Sequence, residues 1–272
     1  MIQFPNAKVN IGLYVTEKRS DGLHNIQTLF FPIKLTDVLE ITRENGNNHA
    51  EFINSGLAVD GKKEDNLCIK AYRLLSKDFS IPAVRIHLHK IIPFGAGLGG
   101  GSSDAAYVLK GLNQFFKLNI SSDLLKQYAQ KLGSDCAFFI ENQTSIGVEK
   151  GNVLSPFEIN LSNYFMVIVH PQIHVSTKEA YSQVTPQIPA ISLDIALKMP
   201  ISEWKNHIYN DFEKSIFPQY PEIESIKQQL YNSGAIYASM TGSGSAVFGI
   251  FEQKPQLKSL FQSYFYWEGE CE

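Results

Sequence analysis

The sequence predicts an α+β protein in two lobes, divided near residue 155. Segments that alternate apolar and polar side chains, the mark of half-buried strands, are mixed with segments whose apolar residues recur at helical spacing. The two kinds do not follow the strict strand–helix alternation of a doubly wound parallel sheet. Beyond about residue 155 the same mixture repeats on a smaller scale. Residues 1–155 are therefore expected to form an N-terminal lobe and residues 156–272 a C-terminal α+β lobe.

Lys8 to Val15 alternates and reads as a strand, and Lys18-Arg19-Ser20-Asp21-Gly22 as a turn. His24 to Ile33 and Val38 to Arg43 read as further strands, separated by the turn-like Thr36-Asp37 pair, with another turn at Asn45-Gly46-Asn47-Asn48. Asn66 to Lys77 carries Leu67, Ala71, Leu74 and Leu75 at helical spacing, and Val84 to Ile92 alternates again. After a glycine-dense loop, Ser103 to Phe116 reads as a helix. Ser121-Ser122-Asp123 caps a second helix that runs to Leu132, where Gly133 stops it. In the second lobe, Tyr164 to His170 reads as a strand, and Ser176 to Val184 and Pro221 to Ser233 as helices. Ile236 to Phe251 reads as a strand pair interrupted by Thr241-Gly242-Ser243-Gly244-Ser245.

Composition narrows the field. The 272 residues are 44% hydrophobic and 19% charged, which excludes disordered, collagenous and coiled-coil chains. Twenty-four Lys+Arg against 27 Asp+Glu give a net charge of -3, without the basic excess that a phosphate-backbone binder needs, so no nucleic-acid partner is expected. No apolar run approaches the ~20 residues of a membrane span, and the opening Met-Ile-Gln-Phe-Pro-Asn has no basic region of a secretory signal. Three scattered cysteines, with no C-x-x-C spacing, add to the expectation of a reduced, cytoplasmic protein, a monomer or weak homodimer.

The most informative stretch is Pro93-Phe94-Gly95-Ala96-Gly97-Leu98-Gly99-Gly100-Gly101-Ser102-Ser103-Asp104. Five glycines in the seven residues 95–101 clear side chains from the backbone, so that several N–H groups can converge on one anion. The following helix adds its positive N-terminal end. This is a phosphate cradle; a flexible linker would not run from an alternating strand into an alanine-rich helix. No lysine follows the glycines, which excludes the P-loop. Gly95 to Gly100 spells G-x-G-x-x-G, but Phe115 to Ile120 lacks the acid that a dinucleotide site places ~20 residues on. The protein-kinase glycine loop fails for want of its valine, VAIK lysine and HRD segment.

The stretch resembles the nucleotide loop of the small-molecule kinases for galactose, homoserine, mevalonate and phosphomevalonate. Ala7-Lys8-Val9-Asn10-Ile11-Gly12-Leu13 is similar to the first motif of that superfamily, and Met240 to Gly249 to its third. Within it, Arg19-Ser20-Asp21-Gly22-Leu23-His24-Asn25, the triple glycine, Gly133-Ser134-Asp135-Cys136-Ala137-Phe138-Phe139 and Asn210-Asp211-Phe212-Glu213 resemble the kinases that act on an alcohol linked to cytidine diphosphate in isoprenoid precursor synthesis. The resemblance implies a two-lobed kinase fold with the active site between lobes. It also implies ATP as phosphoryl donor, bound by Pro93, Phe94, Gly95, Ala96, Gly97, Leu98, Gly99, Gly100, Gly101, Ser102 and Ser103. Other acceptors among small alcohols, and a nucleotide-binding protein without catalysis, are the competing readings.

The resemblance also implies roles. Asp135 is the base that receives the hydroxyl proton; from position alone, Ser134 or Asp135 could instead cap a helix at Ala137. Lys8 lies beside that aspartate and stabilises charge on the phosphoryl group, where an ordinary strand lysine would face solvent. Asn10 shares its face, since side chains alternate along a strand. His24 reads the polar edge of cytosine, while the other six histidines default to structural roles. Leu23 stands where relatives carry a stacking tyrosine, and Tyr181 is the candidate for the opposite face, or else a core tyrosine. Ser102 and Ser103 bring hydroxyls near the phosphates and their magnesium, and Asp104 reads as a first-turn acid favoured by the helix dipole. Thr241-Gly242-Ser243-Gly244 reads as support for the loop, or as a tight hairpin. No cluster has metal-site spacing, so Mg2+ is expected to arrive with ATP.

Overall fold

Twelve strands, numbered in chain order, organise the described residues of this computed structural model, which are 1–46, 49–59 and 61–271. They are β1 (Ile2–Gln3), β2 (Asn6–Lys18), β3 (His24–Thr36), β4 (Val38–Arg43), β5 (Ala50–Gly56), β6 (Val84–Lys90), β7 (Ser145–Val148), β8 (Val153–Pro156), β9 (Phe165–His170), β10 (Tyr237–Met240), β11 (Val247–Phe251) and β12 (Phe265–Glu270). Helices accompany them, and the chain is α+β as expected. Of the expected turn at Asn45 to Asn48, Asn47 and Asn48 lie outside the described residues.

The chain forms two compact units, and they are not consecutive halves. The first comprises Met1–Ala7, Leu35–Phe94 and Gly99–Gln143; the second comprises Lys8–Lys34, Gly95–Leu98 and Thr144–Glu272. Strand pairing is the physical reason for the difference from a division at 155. The hairpin β2–β3 belongs to one sheet with β7 and β8, in the order β2-β3-β7-β8, so its hydrogen bonds draw an N-terminal segment into the second unit.

The sheet of the first unit has the order β1-β4-β6-β5, antiparallel except for the parallel pair β5–β6. Its buried side, with Ile41, Ile86 and Leu88, meets the helices Leu67–Ser76 and Gly100–Phe115. Asn66 caps the first of these by accepting from the Cys68 amide. The second starts three residues earlier than the sequence pattern suggests, because Gly100 and Gly101 enter the helix after Gly99, which sits at the N-cap with φ +71. Ser121 caps the helix Ser122–Gln130 as expected, accepting from Leu124.

In the second unit the antiparallel sheet β10-β11-β9-β12 packs against the helix Pro221–Asn232. That helix buries Ile223, Ile226 and Leu230, spaced so that one face enters the core with Val167, Val169 and Val247. The short helix Thr177–Tyr181 is held by a capping box between Ser176 and Glu179.

Candidate active site

β2 is buried on both faces over most of its length, and this decides what its polar residues must do. Lys8 is 2% exposed. A buried ammonium needs hydrogen-bond acceptors, because desolvation otherwise favours its neutral form. Its Nζ donates to Asn10 Oδ1 at 2.5 Å and to the Gly97 carbonyl at 3.0 Å, and lies 5.5 Å from the centre of the Phe30 ring. Asn10 in turn donates from Nδ2 to Thr28 Oγ1 at 2.9 Å, and the Thr28 hydroxyl donates to the Gly12 carbonyl at 2.6 Å. The Asn10 amide donates to Thr241 Oγ1 at 3.0 Å, and the Thr241 hydroxyl reaches the Gly97 carbonyl at 3.2 Å. One buried polar network thus joins the first motif, the glycine loop and the third motif within the second unit. Thr28 was invisible as a participant, since an inward threonine in a strand is ordinary.

Close approach explains a glycine at position 97. Its φ is +76, and a Cβ there would lie 2.0 Å from the Thr241 carbonyl oxygen. Only glycine lets the third motif press against the loop backbone. The Ala246 amide adds a hydrogen bond to the Ala96 carbonyl at 3.1 Å. The Thr241 segment is therefore more than a tight hairpin, and Asn210 holds it by donating to the carbonyls of Met240 and Gly242 at 2.8 and 2.9 Å. Asp211 accepts from the Val15 amide at 2.9 Å, and Glu213 from the Met240 amide at 2.8 Å. Asn210 to Glu213, singled out in the sequence without a role, is a clip that fixes β2 and β10.

In the first unit, no side chain caps the glycine-started helix Gly100–Phe115, and Ser103 Oγ is buried with no hydrogen-bond partner among the described residues. Asp104 corrects the sequence reading. It lies beyond the first turn and is buried, and its Oδ2 accepts from Lys90 Nζ at 2.8 Å. Lys90 also donates to Asp37 Oδ2 at 2.5 Å, and Asp37 Oδ1 accepts the amides of Ile91 and Ile92. Burial holds the Asp104 carboxyl well above the usual carboxylate range, against the pull of Lys90 and with the help of Asp37. Beside this cluster is a cavity of about 150 Å³, lined by Asn66, Leu67, Leu88, Phe94 and Gly101 among others. Periodicity could not reveal it, because its residues are scattered from position 59 to 104.

Asp135 is half-buried in the turn that precedes the helix Phe138–Glu141. The N-cap of that helix is Ala137, in helical conformation, and no side chain caps it. Neither Ser134 nor Asp135 therefore occupies the N-cap position of that helix. Next to it, burial pushes the Cys136 thiol up to about 11, so it stays protonated at neutral pH.

His24 opens β3, and its ring stacks on Tyr181 with centroids 4.7 Å apart and planes at 17°. Tyr181 meets Phe212 edge-on at 4.7 Å. Leu23 stands outside this stack and is 50% exposed. The preceding turn is tied by Asp21, which accepts the Leu23 amide at 3.0 Å, and by Arg19, which donates to Asn25 Oδ1 at 2.9 Å. Burial, with Lys18 nearby, holds the His24 imidazole below its ordinary value, so it is neutral at pH 7.

Comparison with known proteins places these features. Residues 66–143 match the model described as GHMP kinases N terminal domain, and residues 192–264 match GHMP kinases C terminal. Fold and motifs thus define a small-molecule kinase. The chain belongs to the 4-diphosphocytidyl-2-C-methyl-D-erythritol kinase family of the GHMP kinases. It is 50% identical over 272 residues to the protein of that name from Bacteroides fragilis, covering 99% of each chain. It is 44% identical over 272 residues to the one from Porphyromonas gingivalis, covering 98% of each. The crystal structure of a 4-(cytidine 5'-diphospho)-2C-methyl-D-erythritol kinase superposes with a TM-score of 0.81 at 30% identity, covering 99% of this chain and 98% of that one. Methanococcus jannaschii mevalonate kinase, at 15% identity, shares the fold, with a TM-score of 0.73 and coverage of 100% of this chain and 98% of that one.

Proposed function

We propose that the chain transfers the γ-phosphoryl group of ATP to the 2-hydroxyl of 4-diphosphocytidyl-2-C-methyl-D-erythritol, a step of the methylerythritol phosphate pathway. The observation that carries this reading is the full-length identity to the kinases of that name, joined to the polar network that ties Lys8, Gly97 and Thr241. The new bond joins the acceptor oxygen to the γ-phosphorus, the bond to the bridging oxygen breaks, and ADP leaves. Asp135 takes the hydroxyl proton, and Lys8 stabilises the charge on the transferred group. The Asn10 amide oxygen and the Gly97 carbonyl hold the Lys8 ammonium in place.

Residues 93–103 receive the phosphates, with backbone N–H groups as donors. Ser102 and Ser103 would lie beside Mg2+ arriving with the nucleotide, which would supply neutralisation of phosphate charge, and the orphaned hydroxyl of Ser103 suits a site that a ligand completes. The base enters the neighbouring cavity, where Leu67, Leu88 and Phe94 supply apolar walls and Asn66, Lys90 and Asp104 polar ends. On the acceptor side, His24 reads the polar edge of cytosine, with Asn10, Leu23 and Tyr181 as the other contacts. The stacked rings of His24 and Tyr181 leave no room for a base between them, so the acceptor displaces one ring or stacks outside the pair. Among the described residues no helix is long and apolar enough to cross a membrane. The cytoplasmic location and the monomer or weak homodimer rest on the sequence reading alone.

An ATP-consumption assay across mevalonate, homoserine, galactose and the diphosphocytidyl alcohol tests the assignment. Turnover is expected with the last alone. Preference for another alcohol would move the chain elsewhere in the superfamily, and ATP binding without turnover on any would make it a non-catalytic nucleotide binder.

A further inference from the structure

We propose that His174, given only a structural role by its sequence, is a nucleotide-binding residue whose imidazole donates to a phosphate held by the glycine loop. This rests on the reading of residues 93–103 as the ATP phosphate site. His174 is exposed and belongs to none of the motifs. Its ring nevertheless lies flush on the loop: a Cβ at Gly95 would come within 3.0 Å of His174 Nδ1 and 3.3 Å of Cε1. Gly95 has φ +65, so a side chain there would be both strained and obstructed.

The juxtaposition is built by two successive residues of the third motif. Ser245 Oγ donates to the Ile173 carbonyl at 2.5 Å, and the Ala246 amide donates to the Ala96 carbonyl at 3.1 Å. The residues next to His174 and next to Gly95 are thus bound to adjacent positions of one strand entrance. On its other side His174 is anchored by the buried Val175 and by Ser176, which caps the helix that follows. All of these residues fall in the second compact unit. A backbone fixed on both sides of His174 keeps its ring beside the loop, which lowers the ordering cost of engaging a ligand.

The chemistry of the loop gives the ring a task. From Gly95 to Gly101 no side chain can donate a hydrogen bond, so phosphate oxygens there meet only backbone N–H groups. An imidazole beside Gly95 adds a side-chain donor at the entrance of the loop. Glu179, whose carboxyl is held low first by its hydrogen bonds from Ser176, is close enough to feel the charge of His174.

The test compares His174→Ala, His174→Gln and Gly99→Val with the native chain, each checked by circular dichroism, using calorimetric titration of ATP and of adenosine. His174→Ala should weaken ATP roughly tenfold, the scale of one charge-assisted hydrogen bond, and leave adenosine unchanged. His174→Gln should recover part of the loss, because its amide donates from a similar place. In turnover, KM for ATP should rise with KM for the acceptor unchanged. Equal losses for ATP and adenosine would reduce His174 to a prop for the loop and overturn the proposal. So would native ATP affinity in His174→Ala while Gly99→Val abolishes binding. If Gly99→Val also binds ATP normally, the phosphate-loop reading itself fails, and the assignment of His174 falls with it.

Discussion

Two lysines are almost completely buried, one in each compact unit, and they are treated differently. Lys90 is bound by two carboxylates, Asp37 and Asp104. Lys8 is bound by an amide oxygen and a backbone carbonyl. Carboxylates cancel the charge and make Lys90 a structural tie between the exit of β6 and the glycine-started helix. The Asn10 amide oxygen and the Gly97 carbonyl tie Lys8 to the first motif and the glycine loop, a position from which a cation can act on an anionic reactant. Burial alone therefore does not separate a working lysine from a supporting one; the segments that each one ties together do. A third basic side chain, His170, solves the same problem in another way. It is 6% exposed, neither ring nitrogen has a hydrogen-bond partner among the described residues, and burial pushes its imidazole down to about 4.

The contrast can be broken most decisively at the reaction itself. Asp135→Asn and Lys8→Met should each keep the fold and ATP binding while lowering kcat by roughly 10²–10⁴, the scale for losing a general base or a preorganised charge. Near-native turnover in a folded Lys8→Met chain would place Lys8 with Lys90 as a structural residue. Lys90→Met should act on stability, because it strands two carboxylates in the interior: about 3–5 kcal/mol, read by urea unfolding. An unaltered midpoint would mean that Asp37 and Asp104 find other compensation.

His170 sharpens the comparison through pH. Its folded value lies below the ordinary ~6.5 of an unfolded chain, so the stability it represents is present above that value. That stability is lost as pH falls from about 6.5 toward 4, by roughly 3 kcal/mol in all. His170→Leu should lose less stability than the native chain between pH 7 and pH 5, and parallel pH profiles would show that the imidazole finds a partner. The smallest effect is expected at Leu23. If it occupies the stacking position, Leu23→Tyr adds roughly 0.5–1.5 kcal/mol of aromatic contact. KM for the acceptor should then fall about two- to tenfold with kcat little changed. No change in KM would place the cytosine away from the exposed Leu23.

Legibility followed local pattern. β4 was read with its bounds, and the helices at Leu67–Ser76, Ser122–Gln130 and Pro221–Asn232 to within a few residues, since each carries apolar periodicity and most carry a cap or stop signal. β5 was missed because its sequence, Ala-Glu-Phe-Ile-Asn-Ser-Gly, lies at a sheet edge and buries only Phe52. The Trp-bearing β12 was missed as well; it is the edge of its sheet, half-exposed along most of its length. At the site, glycine density identifies the loop, while Lys8 and Asn10 stand out only through the family resemblance. The partners Thr28, Asp37 and Lys90 could not be read, because what makes them matter is contact between residues distant in sequence. Asp104 departs from its first-turn reading for a local reason: two glycines extend its helix toward the N-terminus, which moves the acid out of the first turn.

The interleaving of the two units bears on how the enzyme is made. The chain changes unit after Ala7, Lys34, Phe94, Leu98 and Gln143. During synthesis, Lys8 and Asn10 leave the ribosome early, yet the Asn10 amide waits for Thr241, 231 residues behind it. Contacts of such separation form late, because chain closure must precede the contact that rewards it. A transcript truncated anywhere before the third motif yields a polypeptide that contains the complete glycine loop but lacks the residues that hold Gly97 and Asn10 in place. The topology thus acts as a completeness check. A chain that stops short of Thr241 cannot close the network around Asn10 and Gly97.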